Sequence, residues 1–248
     1  MGKVYFVSGI DTGIGKTVAV GAMCRALQKS GRDWISVKMV QTGCDGFSED
    51  LDLHREMAGA GRFPEDDAGI TAPQIFKFPS SPLLSAGLEG CTVDVGKIAE
   101  SVRKCAATHD IVIVEGAGGL CVPLTEDLLA VDFAARQGWP LVLVASGRLG
   151  AINHILLSLE AAASRGIPLA GVVMNAYPRP DSLLFDDAMK AVARYLDGRN
   201  ERCPVIVLPD VSVAPAPDFG ALFGGERRMQ ALEFDRRHIW HPYASLAN

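Results

Sequence analysis

The strongest chemical signal lies near the start of the chain, in Gly9-Ile10-Asp11-Thr12-Gly13-Ile14-Gly15-Lys16-Thr17. This string follows a short apolar run and opens a helical pattern, the context a phosphate-binding loop requires. In such a loop, backbone N–H groups at the glycines and the helix N-terminus face the anion, and the helix dipole favours negative charge. Lys16 is placed to reach the β- and γ-phosphates, and the Thr17 hydroxyl to ligate Mg²⁺. The strict spacing asks for glycine at position 10, where this chain has Ile10; Gly9 lies one residue earlier.

Two more charged residues stand at the ends of apolar runs. Ile111-Val112-Ile113-Val114 ends in Glu115-Gly116-Ala117-Gly118-Gly119. A carboxylate at the C-terminal end of a buried strand sits where ligands bind in open α/β sheets, which suits a Mg²⁺ ligand or a water holder. Lys38 ends the run Trp34-Ile35-Ser36-Val37. A buried ammonium needs an anion, either a phosphate or a structural carboxylate. Asp50 and Asp52 fall at the start of a short helical segment, where position alone reads as complementing the helix dipole. His54 and His109 read as surface residues, and His154 follows Asn153 at a helix start. No histidine pair has metal-ligand spacing, and no Ser-His-Asp grouping emerges.

The elements that must hold these residues alternate. Apolar runs at Val4–Ser8, Trp34–Val37, Ile111–Val114, Leu141–Ala145, Leu169–Met174 and Val205–Leu208 read as strands buried on both faces. Helical patterns lie between them, at Val95–Cys105, Ile152–Ser164 and Asp181–Tyr195. The expectation is an α/β fold with a doubly wound, mostly parallel sheet, helices on both faces, of the phosphate-loop NTPase type. Residues 40–93 break the rhythm and read as an elaborated loop region with a short helix near Asp50–Met57. The 248 residues, 48% of them hydrophobic, exclude a largely disordered chain. A net charge of −5 and 7% aromatic content argue against nucleic-acid or membrane-surface binding. No run suits a signal peptide or a bilayer span. Six cysteines without Cys-x-x-Cys spacing read as reduced thiols of a cytoplasmic protein.

Taken together, these motifs resemble dethiobiotin synthetases. The loop matches their Gly-x-Asp-Thr-x-x-Gly-Lys-Thr form. The resemblance runs from about residue 3 to 210 and includes Val37–Gly43, Ser80-Ser81-Pro82, Val114–Gly119, Pro123-Leu124, Leu149–His154 and Val173-Met174-Asn175. It implies formation of the dethiobiotin ureido ring from 7,8-diaminopelargonate, CO₂ and ATP, with Mg²⁺, in a homodimer with shared active sites. Lys16, Lys38 and Thr42 would then be catalytic, Thr42 contacting the carbamate. Gly13, Ile14, Gly15, Lys16, Thr17, Glu115, Gly116, Asn175 and Pro209 would hold the nucleotide, Asn175 reading the adenine edge. Thr17, Asp50 and Glu115 would surround Mg²⁺, with Asp52 as the alternative to Asp50. Thr12, Lys38, Thr42, Gly118 and the turn Gly150-Ala151-Ile152-Asn153 would take the substrate, that turn reaching across the dimer. Met39 and Leu83 depart from the family's usual Lys-Pro and Ser-Pro-His.

Two other classes use related loops. A partitioning-type ATPase switch carries a signature lysine where this chain has Asp11, and a cobalamin-pathway amidoligase needs a glutaminase domain that the length does not accommodate. Domain organisation reads as residues 1–210 for the catalytic domain, 211–228 for a Pro-rich linker and the start of a tail, and 229–248 for the rest of the tail. That tail contains Asp235-Arg236-Arg237-His238-Ile239-Trp240-His241-Pro242-Tyr243. It resembles the start of diaminopelargonate aminotransferase, as in a fusion or two abutting reading frames. Removal of everything after Phe219 is expected to spare ring closure, because every candidate site residue comes earlier.

Overall fold

The computed structural model describes residues 1–212, 214 and 217–224. The strands are β1 (Lys3–Gly9), β2 (Trp34–Lys38), β3 (Gln41–Thr42), β4 (Ile75–Phe76), β5 (Ile111–Gly119), β6 (Pro123–Thr125), β7 (Leu128–Leu129), β8 (Leu141–Ser146), β9 (Leu169–Asn175) and β10 (Val205–Leu208). The helices are α1 (Lys16–Lys29), α2 (Glu49–Ala58), α3 (Pro64–Asp67), α4 (Pro82–Leu88), α5 (Val95–Thr108), α6 (Ala130–Gln137), α7 (Ala151–Ala163) and α8 (Ser182–Gly198).

All six apolar runs become strands of one sheet, in the order β10-β9-β8-β1-β5-β2, and every pairing within it is parallel. The connection from β1 to β2 runs one way along the sheet. The later connections, to β5, β8, β9 and β10, run the other way. Right-handed crossovers in opposite directions place helices on opposite faces. Consecutive residues such as Val112, Ile113 and Val114 are therefore all buried, which is why these runs lack polar alternation. The connection leaving β1 runs opposite to those leaving its neighbours β5 and β8, which opens a crevice at the strands' C-terminal edge, where open α/β sheets bind ligands.

Capping side chains set several helix starts. Ser48 accepts the Leu51 N–H at α2, Asp94 accepts the Lys97 N–H at α5, and Asp181 accepts N–H groups of Leu183 and Leu184 at α8. In the irregular region, β3 and β4 form a separate parallel pair. Helix α2 lies close on α1, where a Cβ on Gly21 would come within 2.5 Å of the Met57 sulfur.

Just after the Pro-spaced stretch, the chain packs into the core. Phe219, Leu222 and Phe223 are buried, the last two in a 3₁₀ turn over Gly220–Phe223. The Phe223 ring meets Tyr5 edge-on at 5.1 Å. Leu222 fills the space a side chain on Gly171 of β9 would need. The aminotransferase-like tail, residues 229–248, lies outside the described residues.

Candidate active site

The loop between β1 and α1 ends in a left-handed Gly15, φ 90°, which caps α1. A Cβ there would also collide with the Asn175 amide, so conformation and space both require glycine. The Lys16 side chain is buried and donates from Nζ to the Asp11 carbonyl at 3.0 Å. Burial pulls its pKa down to about 8, with Glu115 pulling the other way.

Lys38 and Glu115 are direct neighbours across β2 and β5. Side chains in register on adjacent parallel strands share a face, so the two meet with Lys38 Nζ 2.8 Å from Glu115 Oε1. Lys38 also forms an ion pair with Asp50. Thr17 Oγ1 donates toward Asp50 Oδ1 at 3.1 Å and Glu115 Oε1 at 3.0 Å, a shared hydroxyl between two carboxylates. Burial opposes charge on both Lys38 and Glu115. Their mutual attraction overcomes it: Lys38 is held above its ordinary value with help from Asp50, and Glu115 well below the usual carboxylate range with help from His54. One hydroxyl and two carboxylates are the hard oxygen donors that Mg²⁺ takes, so this donor set fits the ion. Asp52, the alternative carboxylate, is exposed and paired with Arg62 instead.

The structure gathers Lys16, Thr17, Lys38, Asp50 and Glu115 at the C-terminal edge of β1, β2 and β5. Gly116 contributes its carbonyl, 3.4 Å from Lys38 Nζ. Gly118 adjoins Thr12, whose Oγ1 would lie 3.5 Å from a Cβ at 118. The loop before α7 is tied to the phosphate loop by an ion pair between Arg148 and Asp11. Gly150 caps that helix with φ 86°, Ala151 is buried, and Asn153 is exposed. Asn175 is engaged by the chain's own backbone. Its Nδ2 donates to the carbonyls of Ile14 and Tyr177 at 2.9 and 3.0 Å, and its Oδ1 accepts the Tyr177 N–H. Pro209 follows β10 next to Asn175, since Leu208 pairs with Asn175. Thr42 lies in β3, four residues beyond Lys38, and its carbonyl accepts from Gln41 Nε2.

His54 corrects the sequence reading. It is fully buried rather than on the surface, with Nε2 2.8 Å from Glu115 Oε2. The signal was present: Leu51, His54, Arg55 and Ala58 recur at helical spacing and form the buried face of α2. His109 is half-buried, between Asp33 and Glu65.

A parallel sheet that delivers a loop lysine, a second buried lysine and two carboxylates to one edge defines a P-loop nucleotide-dependent phosphoryl-transfer protein. The AAA domain family model matches residues 3–209. The chain is 42% identical to ATP-dependent dethiobiotin synthetase BioD 2 of Pasteurella multocida (strain Pm70) over 79% of its length and 92% of the relative's. It is 45% identical to ATP-dependent dethiobiotin synthetase BioD of Chlorobaculum tepidum, over 79% of this chain and 82% of that one. Among solved structures, that of pNOB8 ParA bound to nonspecific DNA superposes with a TM-score of 0.53 at 13% identity, over 96% of this chain and 93% of the other, which speaks to fold alone. The chain belongs to the ATP-dependent dethiobiotin synthetase family.

Proposed function

We propose that this site carries out ATP-driven ring closure of 7,8-diaminopelargonate with CO₂, giving dethiobiotin, ADP and phosphate in biotin biosynthesis. The observation that carries the reading is the convergence of Lys16, Lys38, Thr17, Asp50 and Glu115 on one sheet edge, in a chain whose relatives are named for this activity.

One neutral amine of the diamine adds to CO₂, giving a carbamate. A carbamate oxygen attacks the γ-phosphorus of ATP, and ADP leaves. The second amine then attacks the activated carbon, closes the ring and releases phosphate. Phosphoryl transfer of this kind needs positioning and charge neutralisation rather than a covalent enzyme intermediate. Lys16 and the loop N–H groups hold the phosphates, and Lys38 stabilises charge on the transferred group. Thr17, Asp50 and Glu115 would hold Mg²⁺, which when bound would supply charge neutralisation at the phosphates. Thr42 contacts the carbamate. The N-terminus of α7, at Gly150–Asn153, receives the substrate carboxylate, as helix N-termini favour anions. In this reading it serves the partner's site within a homodimer, and the protein works in the cytoplasm. Asn175 and Pro209 border the base, with Asn175 giving up a backbone contact to read it. The tail resemblance is best read as the start of a fused or adjacent aminotransferase that supplies the diamine.

Mass detection of dethiobiotin from the diamine, bicarbonate and MgATP tests the reaction. Lys16→Ala should abolish turnover, because it removes charge that stabilises the transferring phosphoryl group. Near-wild-type activity in that variant overturns the loop assignment. ATP hydrolysis indifferent to diamine and bicarbonate would instead favour a nucleotide-driven switch.

A further inference from the structure

We propose that His54 is a positioning residue that aims the Glu115 carboxylate, as the last link of a buried hydrogen-bond chain that begins at α3. The inference rests on the role assigned to Glu115 above. Glu115 is gripped from two sides. Oε1 takes Lys38 and Thr17, facing the nucleotide edge, while Oε2 takes His54 Nε2 at 2.8 Å. His54 and Glu115 are both 0% exposed, so no water competes for that second oxygen.

The chain behind His54 fixes the ring. His54 Nδ1 lies 3.0 Å from Ser36 Oγ, and Arg55 Nη1 donates to the same Oγ at 2.7 Å. A carboxylate oxygen only accepts, so His54 Nε2 carries a proton and donates it to Glu115 Oε2. A guanidinium has donors only, so Ser36 accepts from Arg55 and its Oγ holds the other ring nitrogen in place. Arg55 is itself held rigidly. It donates from Nε and Nη2 to the two oxygens of Asp66 at 2.9 and 2.8 Å. Its guanidinium also lies 4.6 Å from the centre of the Phe63 ring. A buried carboxylate with one oxygen unpaired rotates toward any available donor. With Oε2 anchored, the plane of the carboxylate is set and Oε1 stays directed at Thr17 and Lys38. This is the arrangement by which groups behind a ligand orient it.

The test measures binding of a non-hydrolysable ATP analogue by calorimetry across a Mg²⁺ series, beside kcat and KM for the diamine. Wild type, His54→Leu and His54→Gln are compared, with thermal unfolding as the check on folding. His54→Leu should raise the Mg²⁺ needed for half-maximal nucleotide binding by about 10–100-fold. It should also lower kcat and leave the diamine KM unchanged. His54→Gln should recover most of the loss, because its amide can donate to Oε2. A folded leucine variant with the wild-type Mg²⁺ requirement overturns the proposal, as does a glutamine variant no better than leucine. If the leucine variant does not fold, Ser36→Ala breaks the same chain one bond away. It must then raise the Mg²⁺ requirement, and a wild-type requirement in it overturns the proposal. The binding readout needs no diamine. A wild type that makes no dethiobiotin would therefore sink the functional reading while the Mg²⁺ series still judged His54.

Discussion

Two truncations, one ending at Phe219 and one at Gly224, should behave very differently although neither removes a site residue. Leu222 and Phe223 are 3% and 1% exposed, and Phe223 packs edge-on against Tyr5 in the central strand. Burying each such side chain is worth about 1.5–3 kcal/mol. The aromatic contact adds about 0.5–1.5 kcal/mol. Ending the chain at Phe219 therefore removes about 4–7 kcal/mol from a domain whose total stability is on the order of 5–15 kcal/mol. At about 2–4 °C per kcal/mol for a domain of this size, Tm should fall by roughly 10–25 °C. Scanning calorimetry on both truncations and the full chain measures this. The Gly224 truncation, which keeps the 3₁₀ turn and every candidate site residue, should retain diamine-dependent ATP hydrolysis. The Phe219 truncation should melt far lower and keep activity only well below its new Tm. Coincident melting of the two truncations would refute the reasoning, because it would mean the 3₁₀ turn contributes nothing to the core.

Glu115→Gln should raise the Mg²⁺ requirement more than it affects diamine binding, since it removes a hard oxygen charge; a kinetic Mg²⁺ titration reads this, and an unchanged requirement with weaker diamine binding assigns Glu115 another task. Asp66→Asn breaks a buried pair with Arg55 whose side chains are 4% and 5% exposed, and should cost about 3–5 kcal/mol in urea unfolding at pH 7. Burial opposes the Asp66 charge, but Arg55 and the Phe63 N–H outweigh it and hold the pKa below its ordinary 3.8. The stabilisation is thus present above about pH 4 and is lost as pH falls through the lower folded value, so the wild type's acid sensitivity should flatten in Asp66→Asn. Mixing a Lys16→Ala subunit with an Asn153→Ala subunit should restore part of the activity if the α7 turn serves the partner's site; a verified heterodimer without recovery would count against sharing.

Much of the sheet was readable because strands buried on both faces must be apolar at every position. Val205–Leu208 was bounded correctly, and the other runs fell within one or two residues, except at β5. There the apolar run stops at Val114, while pairing continues to Gly119 opposite Gly9. Glycines carry no hydrophobic signature, so a strand built of them looks like a loop. The two-residue strands β3 and β4 were invisible for a different reason, being too short to show any period. Lys38 and Glu115 were legible because a charge ending an apolar run has few explanations. Asp50 could be separated from Asp52 only once α2 was seen to turn Asp50 toward Lys38 and leave Asp52 in solvent. His54 was misread because one histidine in an amphipathic helix was judged by type rather than by its phase with Leu51 and Ala58. Phe219 and Phe223 were hidden by the prolines before them, which signalled a tether where the chain folds back.

The place where the described chain ends has a geometric meaning for anything joined beyond it. Gly224 lies beside Lys3, where a Cβ would come within 3.1 Å of the lysine Nζ. Arg32 reaches the Phe223 carbonyl at 3.4 Å. Lys3 begins β1, and Arg32 precedes β2, so this exit lies at the edge of the sheet opposite the phosphate loop. The seven residues of β1 separate the two edges by about 20 Å. A protein tethered here gains the raised local concentration that any short linker gives. It starts, however, behind the catalytic mouth. At Gly224 the chain stands on the far side of the sheet from the nucleotide edge, so this exit itself forms no part of a passage between two sites.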